Sequence, residues 1–188
     1  MKASLNALYP AVSDQFSFFD HDELSVDGGA SYLLKFLKAL SAARMPLRVI
    51  ALFDNDAAGR YEFQKAKDLA LPSNINVMCL PDIELAKAYP TVGPQGDHNV
   101  DVNGRAVGIE LFMGQENLKN SDGGYYPIRW AHYIANANAY HGEISEKGKV
   151  QDRFFKDIVN ERKPKDARAI YKELDQLWQA IFAELRGS

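Results

Sequence analysis

Residues 49–59 read VIALFDNDAAG, and the rest of the chain can be interpreted around them. The first five residues are apolar, which is typical of a short strand buried on both faces. Two carboxylates, Asp54 and Asp56, follow one residue apart, and Gly59 then leads into a helical pattern. Because ligands collect at the carboxyl ends of strands in parallel α/β sheets, we expect the functional site here.

The spacing of Asp54 and Asp56 favours a bound cation. Side chains at positions i and i+2 leave an extended strand on the same side. Two neighbouring carboxylates repel each other unless a cation or a shared proton lies between them. A hard divalent cation is the expected occupant because such ions prefer oxygen ligands. The alternative is a helix N-cap with an acid in the first turn, which explains one carboxylate well and the other poorly.

Composition limits the classes of protein that fit. The chain has 188 residues, and its 22 Lys and Arg against 25 Asp and Glu give a net charge of −3. This balance disfavours a simple nucleic-acid-coating role but allows an enzyme with a metal-screened acidic pocket. The single cysteine, Cys79, excludes an internal disulfide and a cysteine-based zinc cluster and fits a reducing compartment. Without a signal-peptide pattern or a membrane-length apolar run, we predict a cytoplasmic protein.

Alternating elements surround the acidic pair. Apolar residues at helical spacing predict a helix over 30–43, and a strand is expected over 47–53. A second helix over 58–71 and a second buried strand over 75–80 follow. With the extended piece at 24–26, the order strand, helix, strand, helix, strand implies a parallel sheet with right-handed crossovers. We therefore predict an α/β fold.

The flanking segments carry weaker patterns. We expect residues 1–26 to be irregular apart from short extended pieces at 16–18 and 24–26. Residues 81–107 have little periodicity and several turn residues, which indicates a long loop of functional importance or a disordered one. A short helix is expected at 108–113.

The chain beyond residue 120 is predicted to be all helical. Pro164 separates the last two of three helices. The domain boundaries predicted on this basis are an N-terminal segment, 1–23, an α/β domain, 24–120, and a helical extension, 121–188. Apolar and aromatic residues at helical spacing mark the three helices: Trp130, Tyr133, Ile134 and Ala137; Val150, Phe154, Phe155 and Ile158; and Ile170, Leu174, Leu177, Trp178, Ile181 and Leu185.

The DNDAAG motif at 54–59 resembles the second motif of the Toprim fold, the catalytic domain of topoisomerases, bacterial primases and OLD-family nucleases. The family has an acidic residue followed by Gly after its first strand, and Asp-x-Asp-x-x-Gly after a later one. Here Val26-Asp27-Gly28-Gly29, directly before a helix, matches the first element. The resemblance covers roughly residues 24–113. It is closest to the Toprim domains of OLD-like nucleases and related antiphage-defence proteins.

This resemblance implies a Mg²⁺- or Mn²⁺-dependent nuclease that hydrolyses phosphodiester bonds of DNA, with RNA as a possible substrate. Asp27, Asp54 and Asp56 are then the catalytic residues and metal ligands, and Glu110 is a further candidate ligand. Such domains belong to prokaryotic defence or repair systems and are often joined to an additional domain or partner protein such as an ATPase. Bound metal would make the acidic site attractive to a phosphate and activate a water molecule.

Two basic residues after the motif, Arg60 and Lys65, are candidates to contact the substrate backbone, although helical cations usually form a solvated face. Asp82 and Glu84 lie beyond the second strand as further acidic candidates. The four histidines show no metal-ligand spacing, and we interpret each as an ordinary surface or core residue.

One departure from the family leaves other functions open. Asp27 stands where the family has Glu, and its side chain is one methylene shorter; a turn residue before two glycines is its plainer interpretation. A catalytically degenerate Toprim module that binds nucleic acid or protein is therefore one alternative. An aspartate-based phosphatase or phosphoacceptor domain with Asp54 as nucleophile is another. The latter needs a Lys and a Ser or Thr at strand ends.

Overall fold

The computed structural model describes residues 1–19, 29–93, 96–159 and 164–187. No helix in the described part of the chain is both long and apolar enough to cross a membrane. The α-helices are α1 (Lys2–Leu8), α2 (Ala30–Ala43), α3 (Ala57–Lys67), α4 (Lys147–Val159), α5 (Pro164–Ile170) and α6 (Lys172–Gly187). The strands are β1 (Val49–Phe53), β2 (Asn55–Asp56), β3 (Ile75–Cys79), β4 (Tyr89–Gly93), β5 (Gly96–Val100), β6 (Ala106–Val107), β7 (Ile128–Ile134) and β8 (Ala139–Ile144).

Strands β1 and β3 form a parallel pair connected through α3. Their register runs from Val49 opposite Ile75 to Phe53 opposite Cys79. Helices α2 and α3 cover the pair and close a small core around Leu37 and Phe53. The two predicted strands, the two predicted helices and their parallel arrangement are confirmed. The local pattern of apolar residues is sufficient to predict these elements, because each of them buries one apolar face against its neighbours.

The other strands form two further sheets, so the fold is mixed α/β. Strand β2 continues directly from the end of β1 and pairs antiparallel with β6. A four-stranded sheet has the order β5-β4-β7-β8, in which only β4 and β7 run parallel.

The segment predicted as a long loop, residues 81–107, is largely ordered, and that prediction is wrong. It contains a 3-10 turn at Glu84–Ala88, the hairpin of β4 and β5, and β6. Its strands are short, and β4 carries Pro90, a residue that argues against a strand in sequence. The pairing is decided by partners elsewhere in the chain, which local periodicity does not reveal.

The predicted helix around Trp130 and Tyr133 is also wrong, because these residues lie on β7 of the β7–β8 hairpin. The pairing register shifts between these two residues, as at a β-bulge. A bulge interrupts the two-residue alternation of a strand. The spacing of large side chains across it then imitates the period of a helix. The predicted short helix is present as the 3-10 turn Ile109–Phe112.

The remaining helices build the larger core. Helices α4 and α6 confirm the last two predicted helical patterns, whereas α1 corrects the expected irregular N-terminus. Trp178 of α6 is 1% exposed and donates from Nε1 to Ser4 Oγ of α1 at 3.0 Å. Phe16 and Phe18 pack against this indole rather than forming the predicted strand. The other extended piece, 24–26, lies outside the described residues.

This larger core draws residues from all three predicted domains, from Leu5 through Val107 to Ile181. The segments at the two ends of the chain are therefore packed together with its middle.

Replacing Asn103 by alanine is expected to destabilise the protein by about 1–2 kcal/mol. The Asn103 amide accepts a hydrogen bond from Ile83 N at 3.0 Å and donates to Ile83 O at 3.3 Å, linking two ends of the 81–107 segment. Its loss removes the acceptor of Ile83 N, whereas Ile83 O keeps its hydrogen bond from Ala86 N. Urea unfolding measures the change, with the exposed Asn99→Ala as control; equal stability of the two variants would contradict the expectation.

Candidate functional site

A pocket of about 290 Å³ lies at the carboxyl end of β1. We call it the acidic pocket. It is bounded by the starts of α2 and α3, the turn before β2, the 3-10 turn Ile109–Phe112, β8 and the start of α4. Its charged and titratable lining residues in the described chain are Asp54, Asp56, Glu110, His141, Glu143 and Lys147. The structure thus brings together three of the predicted acidic residues, Asp54, Asp56 and Glu110.

Asp54 stands at the end of β1, where its side chain reaches solvent through the pocket. Although Asp54 is exposed at the mouth of the pocket, the protein atoms around its carboxyl partly desolvate it, and this desolvation is the main cause that raises its pKa to about 6. The negative charges of Asp56 and Glu110 raise this pKa further, and Lys147 opposes them. The site therefore carries a repulsion between carboxylates, as expected from their spacing in sequence.

Asp56 is the N-cap of α3. Its Oδ1 accepts a hydrogen bond from Gly59 N at 2.6 Å, so the helix-cap interpretation is confirmed for this residue. That bond leaves Oδ2 facing His141, whose Nδ1 lies 3.6 Å away. Asp54 does not cap α3; its carboxyl instead accepts a hydrogen bond from the backbone of Ile109, so the α3 cap accounts for only one of the two acids.

Gly59 is required where it stands in the motif. A Cβ atom built on it would lie 2.1 Å from the backbone oxygen of Asp54, a distance that no real contact reaches. The first turn of α3 therefore packs directly on the backbone that carries Asp54. The Asp-x-Asp-x-x-Gly spacing thus combines a helix cap with a close approach of two backbones.

Glu110 is 4% exposed and sits in the 3-10 turn between β6 and β7. Its Oε1 accepts a hydrogen bond from Gln151 Nε2 at 2.9 Å and lies 3.1 Å from Lys147 Nζ. Burial acts to lower the pKa of Lys147, but pairing with Glu110 outweighs it and the net shift is upward. Lys147 of α4 thus balances the charge of this carboxylate. A cation could bind Oε1 only if it replaced the contacts with Lys147 and Gln151.

His141 is the residue that the sequence interpretation missed. It projects from β8 into the acidic pocket, with Nε2 3.2 Å from Glu143 Oε1. Its buried Nδ1 has no hydrogen-bond partner among the described residues, since 3.6 Å to Asp56 is too long for one. No sequence signal placed it here, because it is 85 positions from Asp56 and lies in a segment predicted as helix.

Asp27, the third predicted catalytic acid, lies outside the described residues. Gly29, two positions later, and Ala30 line the acidic pocket, so the chain reaches this site directly after the predicted Asp-Gly-Gly turn.

The two predicted substrate contacts lie outside the described lining of the pocket. Arg60 packs its guanidinium against Gly104, where an added Cβ would meet Nη1 at 2.2 Å. Lys65 pairs with Glu62 at 2.9 Å. Their contact with substrate stays a prediction.

The further acidic candidates beyond β3 have other partners. Asp82 Oδ1 accepts a hydrogen bond from Asn55 Nδ2 at 2.7 Å, which ties the turn between β1 and β2 to the end of β3. Glu84 is exposed and pairs with Lys87 at 2.6 Å.

The described residues fit a cation only in part. Asp54 and Asp56 line one pocket and repel each other, a repulsion that a divalent cation relieves. No group of three His, Cys, Asp or Glu side chains within the described chain is arranged to hold a metal ion. A metal site on this pair therefore needs a further ligand, and the predicted one is Asp27.

No protein-family model, curated protein or solved structure matches this chain.

Proposed function

We propose that this chain is a Toprim-like, Mg²⁺- or Mn²⁺-dependent nuclease domain that hydrolyses phosphodiester bonds of DNA. The observation that carries the proposal is the meeting of Asp54 and Asp56 in one pocket at the carboxyl end of a parallel strand, beside the start of α2. The parallel β1–β3 pair supports a Toprim-like sheet, of which these two strands would be the central part. A role in prokaryotic defence or repair, together with an ATPase domain or partner, belongs to the same proposal.

The metal would be held by Asp54 and Asp56, with Asp27 completing the set and Glu110 as a further candidate. When bound, it would polarise the phosphate and supply an activated water molecule. Asp54 must lose its proton to act as a ligand, and its pKa of about 6 allows this at neutral pH.

Two neighbours would support this arrangement. Lys147 balances the charge of Glu110 and lowers the pKa of Asp54, which favours its ionised form. His141, held against Glu143, places its buried Nδ1 3.6 Å from Asp56 Oδ2 and so limits the positions that this carboxylate can take.

Each alternative also has an observation in its favour. A degenerate binding module is favoured by the pairing of Glu110 with Lys147 and Gln151, which removes one acid from those free to hold a cation. An aspartate-based phosphatase or phosphoacceptor is favoured by Lys147, because it supplies a lysine at the pocket that contains Asp54.

The test is cleavage of supercoiled plasmid DNA in Mn²⁺, Mg²⁺ or EDTA. We expect nicking with either metal, none in EDTA, and a loss of at least about 100-fold in Asp56→Asn. Asparagine caps a helix as well as aspartate does, so this variant removes the charge and keeps the α3 cap. Asp68→Asn, at the exposed far end of α3, is the matched control and should cleave normally.

The result separates the candidates. Absence of cleavage in every metal, with DNA binding retained, would overturn the nuclease and favour the degenerate module. A phosphorylated Asp54 trapped from a phosphate donor would favour the phosphoacceptor.

A further inference from the structure

A second pocket, of about 450 Å³, opens on the four-stranded sheet. We call it the aromatic pocket. It is formed by the β4–β5 hairpin, by the residue before β6, and by β7 and β8. The residues that matter for the argument are Gly93, His98, Arg105, Trp130 and Tyr140.

The indole of Trp130 lines the bottom of this pocket and lies against two glycines. An added Cβ would lie 3.1 Å from Trp130 Cδ1 at Gly93 and 2.9 Å from Cε3 at Gly142. The absence of side chains at these positions on β4 and β8 lets the indole lie against the sheet. The guanidinium of Arg105 lies over the ring, 4.5 Å from its centroid. A planar positive charge therefore covers a face of the indole, and the guanidinium lies above Trp130 in the pocket.

Tyr140 provides a second exposed ring. It is 52% exposed and in edge contact with Tyr133 rather than with the core. A large ring kept at the surface beside an open apolar pocket is available to pack against a planar ligand.

The aromatic pocket adjoins the acidic pocket. Arg105 lines the former and Ala106 the latter, while on β8 Tyr140 lines the former and His141 the latter. Consecutive residues are 3.8 Å apart at Cα. The chain therefore passes between the two pockets at two places, although the side chains of Tyr140 and His141 point to opposite faces of β8. A DNA strand that follows this path would place a phosphate at the acidic pocket and a flanking base beside Tyr140.

We propose that the aromatic pocket binds an unpaired nucleobase of the DNA strand, stacked on Tyr140 beside the guanidinium of Arg105 that covers Trp130, so that the substrate is single-stranded or locally unpaired DNA. This inference rests on the proposed function, because it names the substrate class of that site. Bases in a duplex are stacked on their neighbours and their faces are not available to a protein ring. Stacking is the main interaction of proteins that bind single strands, together with a cationic path for the backbone.

The net charge of the chain disfavours binding of any nucleic acid through overall charge alone, so it does not by itself distinguish a single strand from a duplex. At −3, the protein has no general attraction for DNA. Affinity must then come from local contacts, and the aromatic pocket supplies both a stacking surface and the exposed Arg105.

The experiment measures binding of a fluorescein-labelled 12-nucleotide oligo-dT, and of a 12-base-pair duplex, by anisotropy in EDTA, where metal-dependent cleavage does not interfere. We expect the single strand to bind more tightly than the duplex and Tyr140→Ala to weaken it by about five- to 100-fold. Phe155→Ala, which truncates a ring 47% exposed on α4, is the matched control and should bind like the unchanged protein. Equal affinity of Tyr140→Ala and Phe155→Ala, or preference for the duplex, would overturn the proposal.

Tryptophan fluorescence gives an independent readout. The chain has two tryptophans, and Trp178 is buried in the helical core, so quenching by oligo-dT should come from Trp130 and disappear in Trp130→Phe. Quenching that persists in Trp130→Phe contradicts the assignment.

Failure of the two proposals can be told apart. If Tyr140→Ala loses oligo-dT binding while the unchanged protein cleaves DNA in no metal, this inference stands and the nuclease proposal is rejected. Metal-dependent cleavage of duplex and single strand alike, unchanged in Tyr140→Ala, would keep the nuclease and reject this inference.

Discussion

Gly59→Ala is expected to destabilise the protein by roughly 2–3 kcal/mol and to abolish metal-dependent cleavage. The added methyl group would meet the backbone oxygen of Asp54 at 2.1 Å, and backbone atoms cannot rotate away as a side chain could. Either α3 must move outward or the end of β1 must shift. Both movements displace Asp54, and movement of α3 also breaks the cap bond from Gly59 N to Asp56.

The same substitution elsewhere in the chain provides the control. Gly148, in the first turn of α4, has open space where its Cβ would stand. Gly148→Ala is therefore expected to stabilise the protein, by up to about 0.5–1 kcal/mol, because alanine loses less conformational entropy in a helix. Urea unfolding of the two variants should give changes of opposite sign. A Gly59→Ala protein as stable and as active as the unchanged protein would disprove the close approach on which the motif's explanation depends.

Asp54→Asn is expected to reduce cleavage by at least about 100-fold and yet to raise the melting temperature at pH 7.5 by about 2–4 °C. The modest size of the stability gain reflects the access of this side chain to solvent. An acid whose pKa is higher in the folded protein than in the unfolded chain opposes folding once it ionises. Asparagine keeps the shape of Asp54 and removes the charge that Asp56 and Glu110 repel.

The pH dependence follows from the same shift. The pKa of Asp54 rises from 3.8 to about 6, so the folded state favours the protonated form. Its contribution disfavours folding increasingly as the pH rises from about 4 to about 6, and is constant above that range. The advantage of Asp54→Asn should therefore be largest at pH 7.5 and nearly absent at pH 4. A gain that is the same at both pH values would show that the charge is not its cause.

Metal addition separates the ligand role from simple charge repulsion. A cation that binds the folded protein stabilises it. Mn²⁺ should accordingly raise the melting temperature of the unchanged protein and have little effect on Asp54→Asn. Equal shifts in both proteins would mean that the metal binds elsewhere.

Local pattern was sufficient for the elements nearest to the motif. The strand before Asp54, the helices on either side and the parallel strand from Ile75 to Cys79 follow from short apolar runs and helical spacing. Such patterns are reliable where each element buries one continuous face. They failed for β7, where a bulge disrupted the alternation, and for the β4–β5 hairpin, whose partner strand β7 begins 35 residues after Gly93.

The amino-acid sequence by itself determined the β1-α3-β3 unit and the neighbouring acids Asp54 and Asp56, because these depend on interactions within a few residues or between neighbouring elements. The close approach that requires glycine at position 59 was shown by the tertiary structure. Only the tertiary structure decided that Glu110, His141 and Lys147 join them in one pocket, with the aromatic pocket alongside. Those positions lie more than 50 residues from the motif, and the pairing that carries them there is determined by packing across the whole chain rather than by any local pattern.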